Sequence, residues 1–398
     1  MRRSGNDRER SFPARRAWVA VLLAALGSCS KPVEIRPPSG KAPSVRVLLF
    51  SGLKETEITI RGPYRILQLG GTTQPVLQES GDGLDGRKVW GQGDDVVVDR
   101  LVRTPRTLEF VPENVPVRLN GRRYRGSLRV SPVSGKLQVV NVVDLEGYLR
   151  GVIPGEMSPS WPIEALKAQA VAARTYALVK MAERKTGPYD VAATVADQKY
   201  SGFDKEDRRT DAAVAATAGQ VLRHKGRSFT PWYHSCCGGY TADARQVFAD
   251  ASPVLRGWPC LYCTQSPDYA WSSKLSLGVL SGKLGEGALR GLSVHDIGLD
   301  GRVGRVMLHK ADGTSVALSG VEFRARVGSW RTLRGHTGLL STKFTVRAEG
   351  ASIVFDGHGW GHGVGMCQWG ARGMAEAQKN CEEILGTYYR GAELVTLY

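Results

Sequence analysis

Acid is scarce in this 398-residue chain: 38 Asp and Glu face 54 Lys and Arg, for a formal charge of +16. Long apolar runs are missing as well. The stretch Ala17–Leu26 is too short for a bilayer, which takes ~20 apolar residues in a helix, so a polytopic membrane protein is excluded. The sequence has no internal repeat and no low-complexity tract. What it does have is an ordinary globular mix, 42% hydrophobic and 23% charged, which argues against disorder. Its 48 Gly and 19 Pro favour many turns over long helices and exclude a coiled coil. A chain of this length has room for two or more cores.

Residues 1–28 read as an export signal. Six arginines with only Asp7 and Glu9 among them precede the short apolar run, the order a secretion signal uses. The run ends in Leu26-Gly27-Ser28-Cys29, which looks like a bacterial lipobox. Diacylated Cys29 would then be the new N-terminus and would anchor an envelope lipoprotein without a membrane span, on the periplasmic face if the host has two membranes. A plain cleaved signal in which Cys29 has no role is the alternative. Removal of residues 1–28 lowers the charge by four, to +12. Such a surface suits anionic lipid headgroups or peptidoglycan, and export leaves nucleic acid out as a partner.

Besides Cys29 there are six cysteines, Cys236, Cys237, Cys260, Cys263, Cys367 and Cys381. An even number outside the cytosol suggests disulfides. Adjacent Cys236 and Cys237 are poorly placed to bond each other, so each is expected to reach the Cys260–Cys263 loop, in either of two cross-pairings. The rival is a zinc site built from the same four thiolates.

Residues 29–44 form a Pro-rich linker, and residues 45–138 alternate short apolar stretches with Gly and Pro, a β-rich texture. From residue 139 to 398 helices join in, so the fold class is α+β. Asp144 is expected to cap a helix that stops at Pro154-Gly155. Pro162 should open a long helix with one buried stripe, Ile163, Leu166, Ala170, Ala173, Ala177 and Met181. A second Ala-rich helix is expected near Asp207–Thr217, a hairpin at Asp312-Gly313, and a helix capped by Ser319 and Glu322.

Four segments can carry chemistry. Glu156 lies between two apolar stretches in a path holding Pro154, Pro159 and Pro162. A carboxyl in an apolar pocket has its pKa raised, because desolvation penalises the charged form, and it then serves as a general acid. Capping the next helix, or pairing with an arginine, is the plainer role. In the Gly-rich segment 357–371, His358 and His362 lack the regular helix that presents two metal ligands on one face. Hydrogen bonding to a polar polymer suits the segment better, and a P-loop is excluded because no G-K-[ST] follows. His234 and Ser235 are strand neighbours pointing to opposite faces, which weakens a serine hydrolase. The loop Asp197–Gly202 has the polar and aromatic character of a sugar-stacking surface, although Tyr200 is equally suited to the core.

The order and wording of DLEGYLRGVIPGEMSPSWPIEALKAQAVAARTYAL, DQKYSG, YHSCCGGYTAD and GHGWGHGVGMCQWGARGMA resemble the stage II sporulation protein D and amidase enhancer family of cell-wall proteins. The resemblance covers roughly Val139 to the last residue. It implies a lytic transglycosylase of peptidoglycan glycan strands, preferably denuded of stem peptides, with Glu156 as the catalytic acid. The alternative it implies is a binding module that stimulates a separate cell-wall amidase. It further implies that Gln198, Tyr200, His234, Ser235, His362 and Gln368 bind substrate or support Glu156. Some relatives hold zinc through His and Cys just before the Gln-x-Tyr. Residues 186–197 contain neither, so that site is expected to be absent. Where the family usually has Ser, this chain has Cys367, and a disulfide from Cys367 to Cys381 is expected.

Overall fold

The computed structural model describes residues 40–70, 74–248, 250, 252–332 and 335–398. Residues 1–28, the lipidation candidate Cys29 and most of the linker lie outside them. The architecture is α+β, built on two β-sheets, a helical layer and a smaller α/β unit.

Twelve strands come first: β1 (Ser44–Leu53), β2 (Glu55–Ile60), β3 (Tyr64–Leu69), β4 (Val76–Gly81), β5 (Leu84–Gln92), β6 (Asp95–Val98), β7 (Val102–Thr104), β8 (Thr107–Pro112), β9 (Val117–Leu119), β10 (Arg122–Tyr124), β11 (Ser127–Val133) and β12 (Lys136–Asp144). Six of them join β13 (Val191–Ala192) in a seven-stranded sheet ordered β13-β1-β12-β11-β8-β3-β4. The others pair as β10-β9-β2-β5-β6-β7. Alternation decides which side chains go inward: Val45 and Val47 of β1 are buried, as are Ile58 and Ile60 of β2. Both sheets contribute to one apolar core, which continues into the helices.

Helix α1 (Leu145–Glu156) starts where expected, the Asp144 carboxylate accepting from Gly147 N at 2.8 Å. It does not stop at Pro154-Gly155. A proline this close to the end deletes one N–H, and the final turn is still closed by Met157 N donating to Ile153 O at 2.9 Å. Glu156 is therefore the last helical residue, not a loop residue.

Helix α2 (Ile163–Glu183) follows Pro162. Every residue from Ala168 to Val179 is buried, so the single expected stripe is replaced by burial on all sides. Small Ala side chains permit this, because α1, α3 (Arg208–Ala216), α7 (Gln368–Glu376) and α8 (Cys381–Tyr388) all pack on it. Fully buried Arg174 meets Glu146 of α1 through two contacts of 2.7 Å. A bidentate pair of this kind is among the stronger charge-assisted contacts.

The remaining elements are β14 (Gln220–Arg223), β15 (Tyr233–His234), α4 (Ala244–Val247), β16 (Ala270–Ser276), α5 (Leu277–Leu284), β17 (Leu289–Ile297), β18 (Val303–Lys310), β19 (Ser315–Ser319), α6 (Gly320–Val327), β20 (Ser329–Thr332), β21 (Gly335–Gly338), β22 (Phe344–Glu349), β23 (Ser352–His358), β24 (Met366–Cys367) and β25 (Glu393–Thr396). The hairpin at Asp312-Gly313 joins β18 and β19, and Ser319 caps α6 through Glu322 N. Residues from Leu275 to Phe355 have a core of their own, centred on Phe323, Phe344 and Phe355. Among the described residues no helix is long and apolar enough to cross a membrane.

Candidate functional site

Glu156 is fixed from the opposite side by the loop after β13. Gly151 and Gly155 lie one turn apart on α1. A Cβ on Gly151 would stand 2.5 Å from the Tyr200 ring, and one on Gly155 would stand 2.6 Å from Lys199 O. Their bareness lets loop 197–202 lie flat on the helix, with Ser201 N donating to Gly151 O at 2.9 Å. Lys199 N then donates to Glu156 Oε1 at 2.7 Å.

Glu156 is half-buried, and among the described residues it is in no ion pair. Burial pushes its carboxyl above the ordinary value. The Lys199 N–H, the Gln368 side chain and the Lys199 ammonium pull the other way without reversing the shift. The carboxyl is thus biased toward its protonated form, as a proton donor must be.

Beneath it runs a buried polar chain. Tyr148 OH donates to Gln198 Oε1 at 3.0 Å, and Gln198 Nε2 donates to Tyr233 OH at 3.0 Å and to Ala173 O at 3.3 Å. Gln198 has no exposed surface. Tyr200 is also core: its OH donates to Asn141 Oδ1 at 2.8 Å, and its ring packs on Tyr124 and Tyr148. Gln368 is buried at the start of α7 and donates to Gln169 Oε1 at 3.4 Å. Gln198, Tyr200 and Gln368 therefore stand behind the carboxylate or beside it within the protein.

The two histidines come together through parallel pairing of β15 with β24. Val364 N donates to His362 Nδ1 at 3.1 Å, while His362 Nε2 faces Tyr233 O at 2.8 Å and so carries the proton. His234 Nδ1 sits 3.1 Å from Val364 O and donates to it. Burial keeps both rings neutral, with His234 pushed down to about 3 and His362 well below its ordinary value. Their rings lie 5.5 Å apart. Ser235 is half-buried and its carbonyl accepts from Trp369 N at 3.0 Å. These contacts brace the segment that carries Gln368.

All six cysteines of the described residues are free thiols, in a grouping different from the expected one. The sulfurs of Cys237, Cys260, Cys263 and Cys367 lie within 4.8 Å of one another. Cys236 is left out, its Sγ facing Cys263 O at 3.9 Å. The expected Cys367–Cys381 bridge is not formed. Cys367 caps α7 with its sulfur turned into the cluster, whereas Cys381 opens α8, its N–H donating to Glu164 Oε2 at 2.8 Å.

Two tryptophans close in sequence to Glu156 and Gln368 were not among the expected site residues. Trp161, five residues after Glu156, and Trp369, next to Gln368, stand 5.0 Å apart, both half-buried, with the Arg372 guanidinium over both rings. The sequence carried a signal for one of them, since Trp369 adjoins Gln368. A partly open indole pair of this kind offers a platform for a sugar ring.

The family model described as stage II sporulation protein matches residues 133–224. The stage II sporulation protein D of Bacillus amyloliquefaciens is 30% identical over 288 residues, 67% of this chain and 80% of that protein. An uncharacterised protein of Brachyspira hyodysenteriae is 37% identical over 280 residues, 70% of this chain and 73% of that one. The amidase enhancer of Bacillus subtilis is 31% identical over 338 residues, and the chain spans only 47% of its length. The chain belongs to the stage II sporulation protein D family.

Proposed function

We propose, on the premise of that family membership, that the protein is an exported envelope enzyme that cleaves the glycan strands of peptidoglycan as a lytic transglycosylase. Glu156 is its single acid and base. The observation that carries the reading is a half-buried carboxyl whose pKa is pushed up by burial and which joins no ion pair among the described residues.

The chemistry needs one such group. Protonated Glu156 gives its proton to the glycosidic oxygen as the bond from the sugar C1 breaks. The resulting carboxylate then takes the proton of the muramic acid 6-hydroxyl, whose oxygen bonds to C1 and closes a 1,6-anhydro ring. No water is consumed, and the acid is restored. Ordinary glycosidases need a second carboxylate to activate water or to attack C1, which this route omits. The Trp161–Trp369 pair, with Arg372, supplies stacking for the sugar rings. Because the acid form starts the reaction, the rate falls as pH rises through the raised value of Glu156.

The relationship to an amidase enhancer favours a second reading, in which the protein binds peptidoglycan without cutting it and stimulates a separate cell-wall amidase. Glu156→Gln separates the two. Wild type and variant are incubated with glycan strands stripped of stem peptides, and the products are read by mass spectrometry. The expected outcome is anhydro-muramic ends from the wild type and at least a hundredfold fewer from the variant, the usual scale for losing a general acid. If both proteins bind the strands and neither makes anhydro ends, the enhancer reading stands and the enzyme reading fails.

A further inference from the structure

Four sulfurs from three separate parts of the chain converge in the first core, at a point the proposed chemistry does not use. Cys237 follows the bridge between Cys236 and Trp360. Cys260 and Cys263 come from a tight loop, pinned by Cys260 N donating to Gly239 O at 2.9 Å, whose intervening Leu261 and Tyr262 face solvent. Cys367 comes from β24. All four are buried.

Their spacing suits a shared central ion better than pairwise bonds. Zn–S bonds of about 2.3 Å put the corners of a tetrahedron about 3.8 Å apart. Cys237 Sγ and Cys263 Sγ are 3.5 Å apart, and no sulfur of the four is farther than 4.8 Å from another. The surroundings also suit thiolates. Cys237 N and Gly370 N each donate to Cys367 Sγ at 3.3 Å, and Tyr388 OH lies 3.2 Å from Cys260 Sγ. Metal-bound thiolates are commonly held by hydrogen bonds from such outer donors.

Charge balance gives an independent argument. Four thiolates around a divalent ion carry a net charge of about −2, which requires buried cations close by. Arg302 is 5% exposed and donates from Nη2 to Cys237 O at 3.2 Å. Its Nε also stands 3.3 Å from Asp300 Oδ2, so that buried acid shares its charge. Lys343 Nζ donates to the neighbouring Gly238 O at 2.8 Å.

We propose that Cys237, Cys260, Cys263 and Cys367 hold a structural zinc ion in a closed site of four sulfurs, with Cys236 and Cys381 as spectators. Tetrahedral S₄ coordination with no open position is the signature of zinc that stabilises structure and does no chemistry. The ion ties the strand carrying His234, the Cys260–Cys263 loop and the cap of α7 into one block. Since Cys367 immediately precedes Gln368, the block also sets the position of a neighbour of Glu156.

The test is metal analysis by plasma mass spectrometry on the full chain, purified without added metal or chelator. About one zinc per chain is expected in the wild type, in Cys236→Ser and in Cys381→Ser, with loss from Cys260→Ser and Cys367→Ser. Should those two variants fail to fold, the wild type decides the matter alone. Replacing its metal with cobalt is expected to give the intense sulfur-to-cobalt absorption of a four-thiolate site. Zinc-free protein whose peptides are recovered linked through Cys237, Cys260, Cys263 or Cys367 disulfides overturns the proposal. So does full zinc content in Cys260→Ser.

Discussion

Burial of Glu156 costs stability once its carboxyl ionises. Its folded-state pKa lies above that of the unfolded chain, so the native state prefers the protonated carboxyl. The contribution is favourable below the ordinary glutamate value of ~4.3 and is lost as pH rises through the folded value. Glu156→Gln keeps an acceptor for Lys199 N and removes the charge. We therefore expect the variant to melt at a higher temperature than wild type near pH 7.5 and at a similar temperature near pH 4. A difference that does not change with pH would contradict the assignment of a raised pKa. The sequence pointed to this residue because one carboxylate stood between apolar stretches braced by prolines. It left Tyr200 open between sugar stacking and the core, and Gln198 between binding substrate and supporting Glu156, since their burial depends on Tyr148, Tyr233 and Asn141, which come from other elements.

At the scale of elements, α1 and the loop on its bare face act as one part. Gly155→Ala gains helix propensity of up to ~1 kcal/mol, but its methyl would collide with the Lys199 carbonyl, and such overpacking costs about 1–3 kcal/mol. We expect a lower melting temperature, and a product yield from glycan strands reduced at least tenfold because Lys199 N moves off Glu156. Gly278→Ala in α5, where a methyl meets nothing within 4 Å, serves as the comparison and should leave the yield unchanged. Equal behaviour of the two variants would rule out the close approach as the reason for glycine. Local signals were legible here: the Asp144 cap, the Asp312-Gly313 turn and the Ser319 cap all depend on residues within a few positions of one another. The end of α1 was not, because the cost of Pro154 depends on where in the last turn it falls. The cysteine grouping was hidden for the same kind of reason. Cys367 joins the cluster through β15–β24 pairing, a long-range contact that no local pattern announces.

Across the whole molecule cations are in excess, and the proposed function gives that excess a role. Denuded glycan strands carry the carboxylates of muramic acid, and on the proposed function a chain left with a formal charge of +12 after export is drawn to them. Salt shortens the reach of that attraction from about 10 Å at 0.1 M to about 3 Å at 1 M. Sedimentation with purified denuded sacculi is therefore expected to fall severalfold between these two concentrations; binding indifferent to salt would remove charge as the cause. The second core between Leu275 and Phe355 went unforeseen as a unit, although its hairpin and capped helix were read correctly, because only packing joins them. The position of β1 has a practical consequence for anyone dissecting the gene. This strand lies between β12, which runs antiparallel to it, and β13, which runs parallel, and Arg46 on it grips Asp190. A clone begun at β12 would strip the sheet of β1 and β11 together, leaving raw hydrogen-bonding edges that invite precipitation.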